Sequence, residues 1–206
     1  MKIQPASRRL GILLSGRGSN FEAIADRIAA GKLNAEIAVV VSNVETAAGL
    51  GLAKARGLAA AYIPSKGKKR EDFDREVIEV LKGHGVSLVV LAGFMRIVSR
   101  SFIDAFPYGI LNIHPSLLPA FPGMDVHRQT LEHGAKFSGC TVHFVDDTLD
   151  GGPIIAQAVV PILDDDTPEV LAARILKQEH HIYSEVIEVV LAGRCDVQGR
   201  RVRITK

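Results

Sequence analysis

The chain has 206 residues, of which 47% are hydrophobic and 23% charged, and its formal net charge is +2. This composition is typical of one folded domain and excludes a mainly disordered chain. So small a net charge gives no indication of a nucleic-acid partner. The two cysteines, Cys140 and Cys195, lack metal-type spacing and indicate a reducing compartment rather than a disulfide framework.

No segment has the features of a membrane span or a secretory signal. The longest apolar runs, Ile37–Val41 and Leu88–Ala92, are far shorter than the roughly 20 residues that a spanning helix needs. The amino terminus has no apolar run ending in a cleavage site. We therefore expect a cytoplasmic protein that does not bind membranes.

The first two thirds of the chain alternate short apolar runs with amphipathic segments, which predicts an α/β fold with a doubly wound, mostly parallel sheet. The apolar periodicity predicts a helix over Glu71–Lys82. Ligands of such sheets bind outside the carboxyl ends of the strands. The predicted strands are Leu10–Leu14, Glu36–Val41, Ala59–Ile63, Leu88–Leu91 and Ile110–Ile113.

The pattern changes after about residue 135. Lys136–Val145 and Ile154–Val160 are joined by a turn-rich segment, which predicts an antiparallel pair of strands. A helix is predicted from an N-cap at Thr167 to about Leu191, and the tail Val197–Ile204 is predicted to form a hairpin. No repeat or linker interrupts the sequence, so we predict one domain over residues 1–206.

The glycine-rich turn Ser15–Asn20 follows the first strand and opens the first helix, where free backbone N–H groups favour an anion. Phe21 stands where a dinucleotide-binding fingerprint has its third glycine, and the Lys-Ser/Thr ending of a P-loop is absent. A single phosphate fits this turn better than NAD or ATP does. An ordinary strand-to-helix turn capped by Ser19 is the alternative.

Three further segments carry candidate catalytic or binding groups. Alternation places Asn112 and His114 on one face of a strand, about 7 Å apart, where an amide and an imidazole can stabilise an oxyanion and move a proton. Asp150 lies in a turn-rich segment, and a carboxylate beside His114 would orient the ring. Gln178 and Glu179 border the apolar face of the long helix, where polar groups need partners. The alternative at each position is that the side chain forms hydrogen bonds with backbone groups or with water and has no role in a site.

Four segments of the sequence closely resemble segments that occur in the same order in the phosphoribosylglycinamide formyltransferases, the folate-dependent enzymes of purine synthesis. The resemblance runs from about Leu10 to Leu191 and implies a Rossmann-like formyltransferase fold with an antiparallel C-terminal extension. It further implies a phosphate-binding half at about residues 8–105 and a folate and catalytic half at about residues 106–206. The segments are Ser15–Asn20, Leu91–Ile97, Leu111–Pro119 and Leu149–Pro153.

The resemblance also implies roles for individual residues. Asn112, His114 and Asp150 match the catalytic trio of the family. The substrate-binding positions are Gly18, Ser19, Asn20, Phe21 and Glu22 at the phosphate and Gln178 and Glu179 at the glycinamide. The positions implied to bind 10-formyltetrahydrofolate are Arg70, Met95, Arg96, Ile97, Val98, Asn112 and Asp146. No metal is implied, and the role of Met124-Asp125 is left open.

The implied reaction transfers the formyl group of 10-formyltetrahydrofolate to the amine of phosphoribosylglycinamide. Small molecules are the expected partners, and the chain is expected to be a monomer or a homodimer. Formyl-folate hydrolases and methionyl-tRNA formyltransferases share the Asn-x-His and Asp trio, but usually carry an additional domain. A non-catalytic nucleotide-binding module is the alternative from a different class.

Overall fold

The computed structural model describes residues 1–205, and within them one ten-stranded sheet carries helices on both faces. The strands are β1 (Lys2–Ile3), β2 (Arg9–Leu14), β3 (Glu36–Ser42), β4 (Ala60–Tyr62), β5 (Leu88–Leu91), β6 (Ile110–His114), β7 (Phe137–Phe144), β8 (Ile154–Pro161), β9 (Cys195–Gln198) and β10 (Arg201–Ile204). The helices are α1 (Ser19–Ala29), α2 (Ala48–Ala55), α3 (Arg70–Gly83), α4 (Arg100–Ala105), α5 (Val126–Glu132) and α6 (Pro168–Leu191).

The sheet order is β1-β9-β10-β8-β7-β6-β5-β2-β3-β4, and the five strands from β6 to β4 in that order are parallel. β7 is antiparallel to both β6 and β8, and β9 and β10 form an antiparallel hairpin. The predicted α/β class, the mostly parallel sheet, the β7/β8 pair and the C-terminal hairpin are therefore confirmed. The hairpin begins at Cys195, two residues earlier than predicted, because Cys195 pairs with Ile204 of β10.

Apolar side chains fill two layers, one on each face of the sheet. One layer lies under α1, α2 and α6, and the other lies under α3 and α4. The predicted apolar stripe of α6 is buried in the first layer and includes Leu171, Ile175 and Val190. The Thr167 hydroxyl caps α6 by accepting a hydrogen bond from the Val170 N–H, at 3.3 Å.

The strand order reverses beside β2, because β3 follows it on one side and β5 on the other. The loops after β2 and β5 meet at this point, where the Ser15 N–H donates to the Gly93 carbonyl at 3.0 Å. From α6, the Tyr183 hydroxyl lies 2.9 Å from the Leu91 carbonyl and 3.0 Å from the Leu111 carbonyl. The carboxyl ends of three central strands are thus held together at the edge where such folds bind ligands. No helix among residues 1–205 has both the length and the apolar character of a membrane span.

Candidate active site

His114 lies at the carboxyl end of β6 and is 5% exposed. Its Nε2 lies 2.9 Å from the Phe121 carbonyl oxygen, and its Nδ1 lies 3.5 Å from Asp150 Oδ2. Both ring nitrogens therefore face acceptors. A neutral imidazole has a single N–H and can donate to only one of them, whereas a protonated ring can donate to both.

The backbone around Asp150 fixes its carboxylate near His114. Asp150 has a left-handed conformation, with φ 49°, and the Gly123 N–H donates to its Oδ2 at 2.8 Å. A Cβ on Gly152 would lie 1.8 Å from the Phe144 carbonyl oxygen, so only glycine allows this turn to pass so close to β7. The structure thus brings together His114 and Asp150, which are 36 positions apart in the sequence.

Asn112 is oriented by a histidine that the sequence analysis did not consider. His143 lies opposite Asn112 in the β6/β7 register, and its Nε2 lies 3.2 Å from Asn112 Nδ2. The other ring nitrogen, Nδ1, donates to the Phe144 carbonyl at 2.9 Å, which leaves Nε2 as the acceptor. Burial lowers the pKa of His143, which keeps the ring in this neutral form. Alternation along β7 was the available signal, because residues on one face of an antiparallel pair lie opposite one another.

The glycine-rich turn leads into α1 as predicted, and Gly18 has a left-handed φ of 81°. The α1 N-cap has no side-chain hydrogen bond, so backbone N–H groups of the first turn are free for an anion. Phe21 is fully buried in the core and offers a ligand only its backbone. Glu22 lies 3.5 Å from Arg56, and thus pairs with a neighbouring helix rather than extending into the turn.

Asn20 and Glu179 meet directly although they lie 159 positions apart, with Asn20 Nδ2 donating to Glu179 Oε2 at 2.8 Å. Glu179 is 7% exposed, and burial raises the pKa of its carboxyl group, against the opposing effect of the Asn20 hydrogen bond. Asn20 Oδ1 is buried and has no partner among the described residues. Gln178, the neighbour of Glu179, is half-buried. A ligand donor at this position would satisfy the free Asn20 oxygen.

Four of the seven residues implied to bind folate, Arg70, Met95, Arg96 and Ile97, line one pocket of about 290 Å³, whereas Val98, Asn112 and Asp146 are not part of its lining. The Arg96 guanidinium lies 4.7 Å from the centre of the Phe73 ring, which orients it by a cation–π contact. Met95 is 73% exposed and Ile97 55%, so both offer apolar surface to a ligand. Val98 is buried in the core, which leaves only its backbone for this role.

Asp146 is partly engaged by its own turn. Its Oδ1 accepts from the Thr148 N–H at 2.9 Å and from the Thr148 hydroxyl at 2.5 Å. One carboxylate oxygen accounts for both bonds, so the other stays available to a ligand. Among residues 1–205 no group of three or more His, Cys, Asp or Glu side chains is arranged to hold a metal ion.

The site therefore combines four parts at one edge of the sheet. They are an imidazole beside a carboxylate, an amide held by a second imidazole, a helix start open to an anion, and a pocket with two guanidinium groups. Such an arrangement can bind two anionic molecules and stabilise negative charge on an oxygen between them. It has the features of a group-transfer enzyme.

Comparison with known proteins identifies the class. The formyl transferase family model matches residues 8–187, so the chain belongs to the formyl transferase family. Phosphoribosylglycinamide formyltransferase of Escherichia coli (strain K12) is 45% identical over 184 residues, which cover 89% of this chain and 87% of the relative. Glycinamide ribonucleotide transformylase 1 from Symbiobacterium toebii superposes with a TM-score of 0.95 at 49% identity, covering 97% of this chain and 95% of that one.

A formyltetrahydrofolate deformylase from Pseudomonas syringae pv. tomato str. DC3000 is also similar, with a TM-score of 0.91. Its identity is lower, 26%, and the match covers 97% of this chain but 66% of that protein. The fold is thus shared by proteins that carry transferase and deformylase names. The two transferases described above, at 45% and 49% identity, are more similar to this chain in sequence, in agreement with the family resemblance noted in the sequence.

Proposed function

We propose that this chain transfers the formyl group of 10-formyltetrahydrofolate to the amine of 5-phosphoribosylglycinamide, giving the N-formyl product and tetrahydrofolate. The step belongs to purine biosynthesis, and we place it in the cytoplasm. The observation that carries the proposal is the convergence of Asn112, His114 and Asp150 at the end of β6. The names of relatives 45% and 49% identical to this chain support phosphoribosylglycinamide as the acceptor of the formyl group.

The substrate phosphate binds at the glycine-rich turn, where the first backbone N–H groups of α1 point outward. Gly18 permits the left-handed turn, and Ser19 and Asn20 begin the helix. Arg17 is exposed in the same turn and forms no ion pair with any described residue, so its charge is free for the phosphate.

The glycinamide end binds between α1 and α6. Asn20 Oδ1 and the Glu179 carboxylate accept hydrogen bonds from the substrate amine and amide, and Gln178 lies beside them. These contacts satisfy a buried oxygen that otherwise lacks a partner. They also place the amine between the phosphate turn and the end of β6.

Asn112 and a protonated His114 donate to the formyl oxygen, which becomes negatively charged when the amine attacks. One such donor is worth about 3–4 kcal/mol of transition-state stabilisation. Asp150 orients the imidazole through Nδ1, 3.5 Å away. The proton released by the amine reaches the departing folate nitrogen through His114 or through water. No covalent enzyme intermediate is required.

The folate lies along Met95–Val98, with its ring system towards β6 and its glutamate towards Arg70. Asp146 is a further folate contact. We also propose that residues 8–105 form the phosphate-binding half and residues 106–206 the folate and catalytic half of one domain, and that the protein acts as a monomer or a homodimer.

The decisive experiment follows folate absorbance after incubation with 10-formyltetrahydrofolate, with and without phosphoribosylglycinamide. We expect tetrahydrofolate release only when the ribonucleotide is present. Release in its absence would indicate a hydrolase, and no release in either case would indicate a binding module.

Substitution of the central histidine tests the mechanism. We expect His114→Ala to lower kcat by at least a factor of 100, with binding of both substrates close to that of the wild type, because the ring acts in the transition state. Comparable kcat in this variant would remove His114 from the reaction.

A further inference from the structure

The hairpin of β9 and β10 contacts the segment that carries Asp150. Its strands are joined by a two-residue turn, Gly199-Arg200, in which the glycine has a left-handed φ of 61°. From this turn Arg200 Nη2 donates to the Gly151 carbonyl oxygen at 2.6 Å. The hairpin lies outside residues 8–187, which the family model matches, so membership of the family does not by itself explain the contact.

The hairpin is attached to the rest of the sheet on both sides. β9 pairs with β1, and β10 lies between β9 and β8, where Arg201 pairs with Ile154. Cys195 and Val197 of β9 are buried in the same apolar layer as α6. Strands that are paired and buried in this way move little relative to the core, so the turn holds Arg200 on a rigid base.

The segment that receives this hydrogen bond has few other attachments. We call residues 146–152 the Asp150 loop, and its internal hydrogen bonds are centred on Thr148. Arg100 of α4 approaches the loop to 3.4 Å, with 71% of its side chain exposed. Among residues 1–205, the bond from Arg200 is the only hydrogen bond that another element makes to the backbone of the loop.

The contact of Gly152 with β7 and the bond from Arg200 restrict the loop in opposite directions. A close backbone contact limits how near the loop can come to β7, but it does not stop the loop from moving away. A hydrogen bond from a guanidinium group is attractive, and its charge makes it stronger than a neutral one. Asp150 has a left-handed φ of 49°, which residues with a Cβ rarely adopt, so the loop would readily relax once this bond is lost.

We propose that Arg200 is a positioning residue, which holds the Asp150 loop so that its carboxylate stays beside His114. This inference rests on the proposed function, in which Asp150 orients the imidazole. Asp150 Oδ2 lies 3.5 Å from His114 Nδ1 and accepts from the Gly123 N–H at 2.8 Å, so a small movement of the loop disturbs both contacts. A displacement of about 1 Å can lower a reaction rate by about a hundredfold.

Steady-state kinetics of Arg200→Gln test the proposal, because glutamine is uncharged and too short to reach the Gly151 carbonyl. We expect kcat to fall about tenfold, with the KM for phosphoribosylglycinamide within about twofold of the wild-type value. Arg200→Lys can still donate to the carbonyl and should recover kcat to within about threefold of the wild type.

Arg201→Gln is the matched control. It removes the same charge from the neighbouring residue of the hairpin, whose exposed side chain forms no hydrogen bond or ion pair with any described residue. This variant should keep the wild-type kcat.

A double-mutant cycle separates positioning of Asp150 from a general effect on the fold. In an Asp150→Ala background, Arg200→Gln should lower kcat by less than about twofold, because the carboxylate that it positions is already absent. A loss of similar size in both backgrounds would show that Arg200 supports the fold generally and would overturn the proposal. Unchanged kcat in Arg200→Gln, or an equal loss in Arg201→Gln, would also overturn it.

Failure of the proposed function is distinguishable, because the wild type would then transfer no formyl group at all. Hydrogen–deuterium exchange needs no substrate and still decides whether Arg200 holds the loop. We expect the amides of residues 147–152 to exchange at least about fivefold faster in Arg200→Gln than in the wild type, and at the wild-type rate in Arg201→Gln. Equal exchange in all three proteins would reject the role of Arg200.

Discussion

At the scale of single residues, the two histidines at the end of the β6/β7 pair differ in the groups that surround them. His114 has a carboxylate at one nitrogen and a carbonyl at the other, so a protonated ring satisfies both acceptors. His143 donates to a carbonyl through Nδ1 and accepts from Asn112 through Nε2, which requires a neutral ring. We therefore propose different roles for two identical side chains: His114 as the proton donor of the reaction, and His143 as the acceptor that positions an amide.

The role of His143 can be tested by substitution. We expect His143→Phe to lower kcat by about ten- to a hundredfold with little change in either KM, because a planar ring is retained while Asn112, which we propose donates to the formyl oxygen, loses the acceptor that orients it. Steady-state kinetics of the purified variant, with a thermal melt to verify folding, provide the measurement.

His143→Gln is the matched control, since a glutamine oxygen can accept from Asn112 in place of Nε2. Partial recovery of kcat in this variant is expected. A kcat equally low in both variants would mean that His143 supports the fold rather than the amide.

At the scale of elements, the connection from β7 to β8 determines whether Asp150 reaches β6. Gly152 lies so close to Phe144 of β7 that a Cβ would be 1.8 Å from a backbone oxygen. Backbone cannot move aside as a flexible side chain can. The close approach therefore fixes the path of the chain from residue 146 to residue 153, and with it the position of the Asp150 carboxylate.

We predict that Gly152→Ala lowers the free energy of unfolding by about 2–3 kcal/mol and also lowers kcat, because the turn must move away from β7 and takes Asp150 with it. Urea denaturation and steady-state kinetics measure the two effects.

Gly51→Ala is a control for which we expect the opposite change in the free energy of unfolding. Gly51 lies inside α2, its φ is not positive, and a Cβ there would meet nothing within 4 Å. Gly51→Ala should therefore raise the free energy of unfolding by about 0.5–1 kcal/mol through helix propensity. Equal effects of the two substitutions would show that the contact at Gly152 is not decisive.

At the scale of the whole molecule, buried titratable groups make stability depend on pH. Burial lowers the pKa values of His127, His143 and His180. In the unfolded chain these histidines therefore bind protons at a higher pH than they do in the native state. As the pH falls below about 6.5, protonation favours the unfolded chain and the native state loses stability. The pKa shift of Glu179 makes stability depend on pH in the opposite direction. Its raised pKa means that the native state holds the proton more tightly, so a buried charge costs stability at the higher end of the pH range.

We predict that Glu179→Gln is more stable than the wild type at pH 8, by about 1 kcal/mol or roughly 2–4 °C in Tm. The glutamine oxygen keeps the bond from Asn20 Nδ2 without the buried charge. The advantage should shrink as the pH is lowered from 8 to 5, since a raised pKa moves protonation of the wild-type carboxyl group to higher pH. Thermal melts of both proteins across this range measure the difference, and an advantage independent of pH would contradict the assignment.

The same substitution should weaken binding of the ribonucleotide, because a carboxylate holds an amine better than an amide does. Glu179 would then be a residue kept for function at a cost in stability. The carboxylate of Glu179 would bind the substrate, whereas a neutral side chain at this position would make the fold more stable.

The sequence by itself determined the parts that depend on residues near one another in the chain. Apolar periodicity predicted β2, β3, β5, β6 and α6, and composition predicted the turn between β7 and β8. The local pattern Asn-x-His predicted a shared face at a strand end, because side chains alternate along any strand. The ordered motifs also indicated the family to which the chain belongs.

Only the tertiary structure decided which distant groups meet. His143 lies opposite Asn112 because β7 pairs with β6 in one register, and a shift of one residue would turn His143 to the other face. Asn20 meets Glu179 because α1 and α6 pack on the same face of the sheet. The proximity of Asp150 to His114 depends on a close backbone approach at Gly152. Such contacts are set by strand register and packing, which no short stretch of sequence encodes.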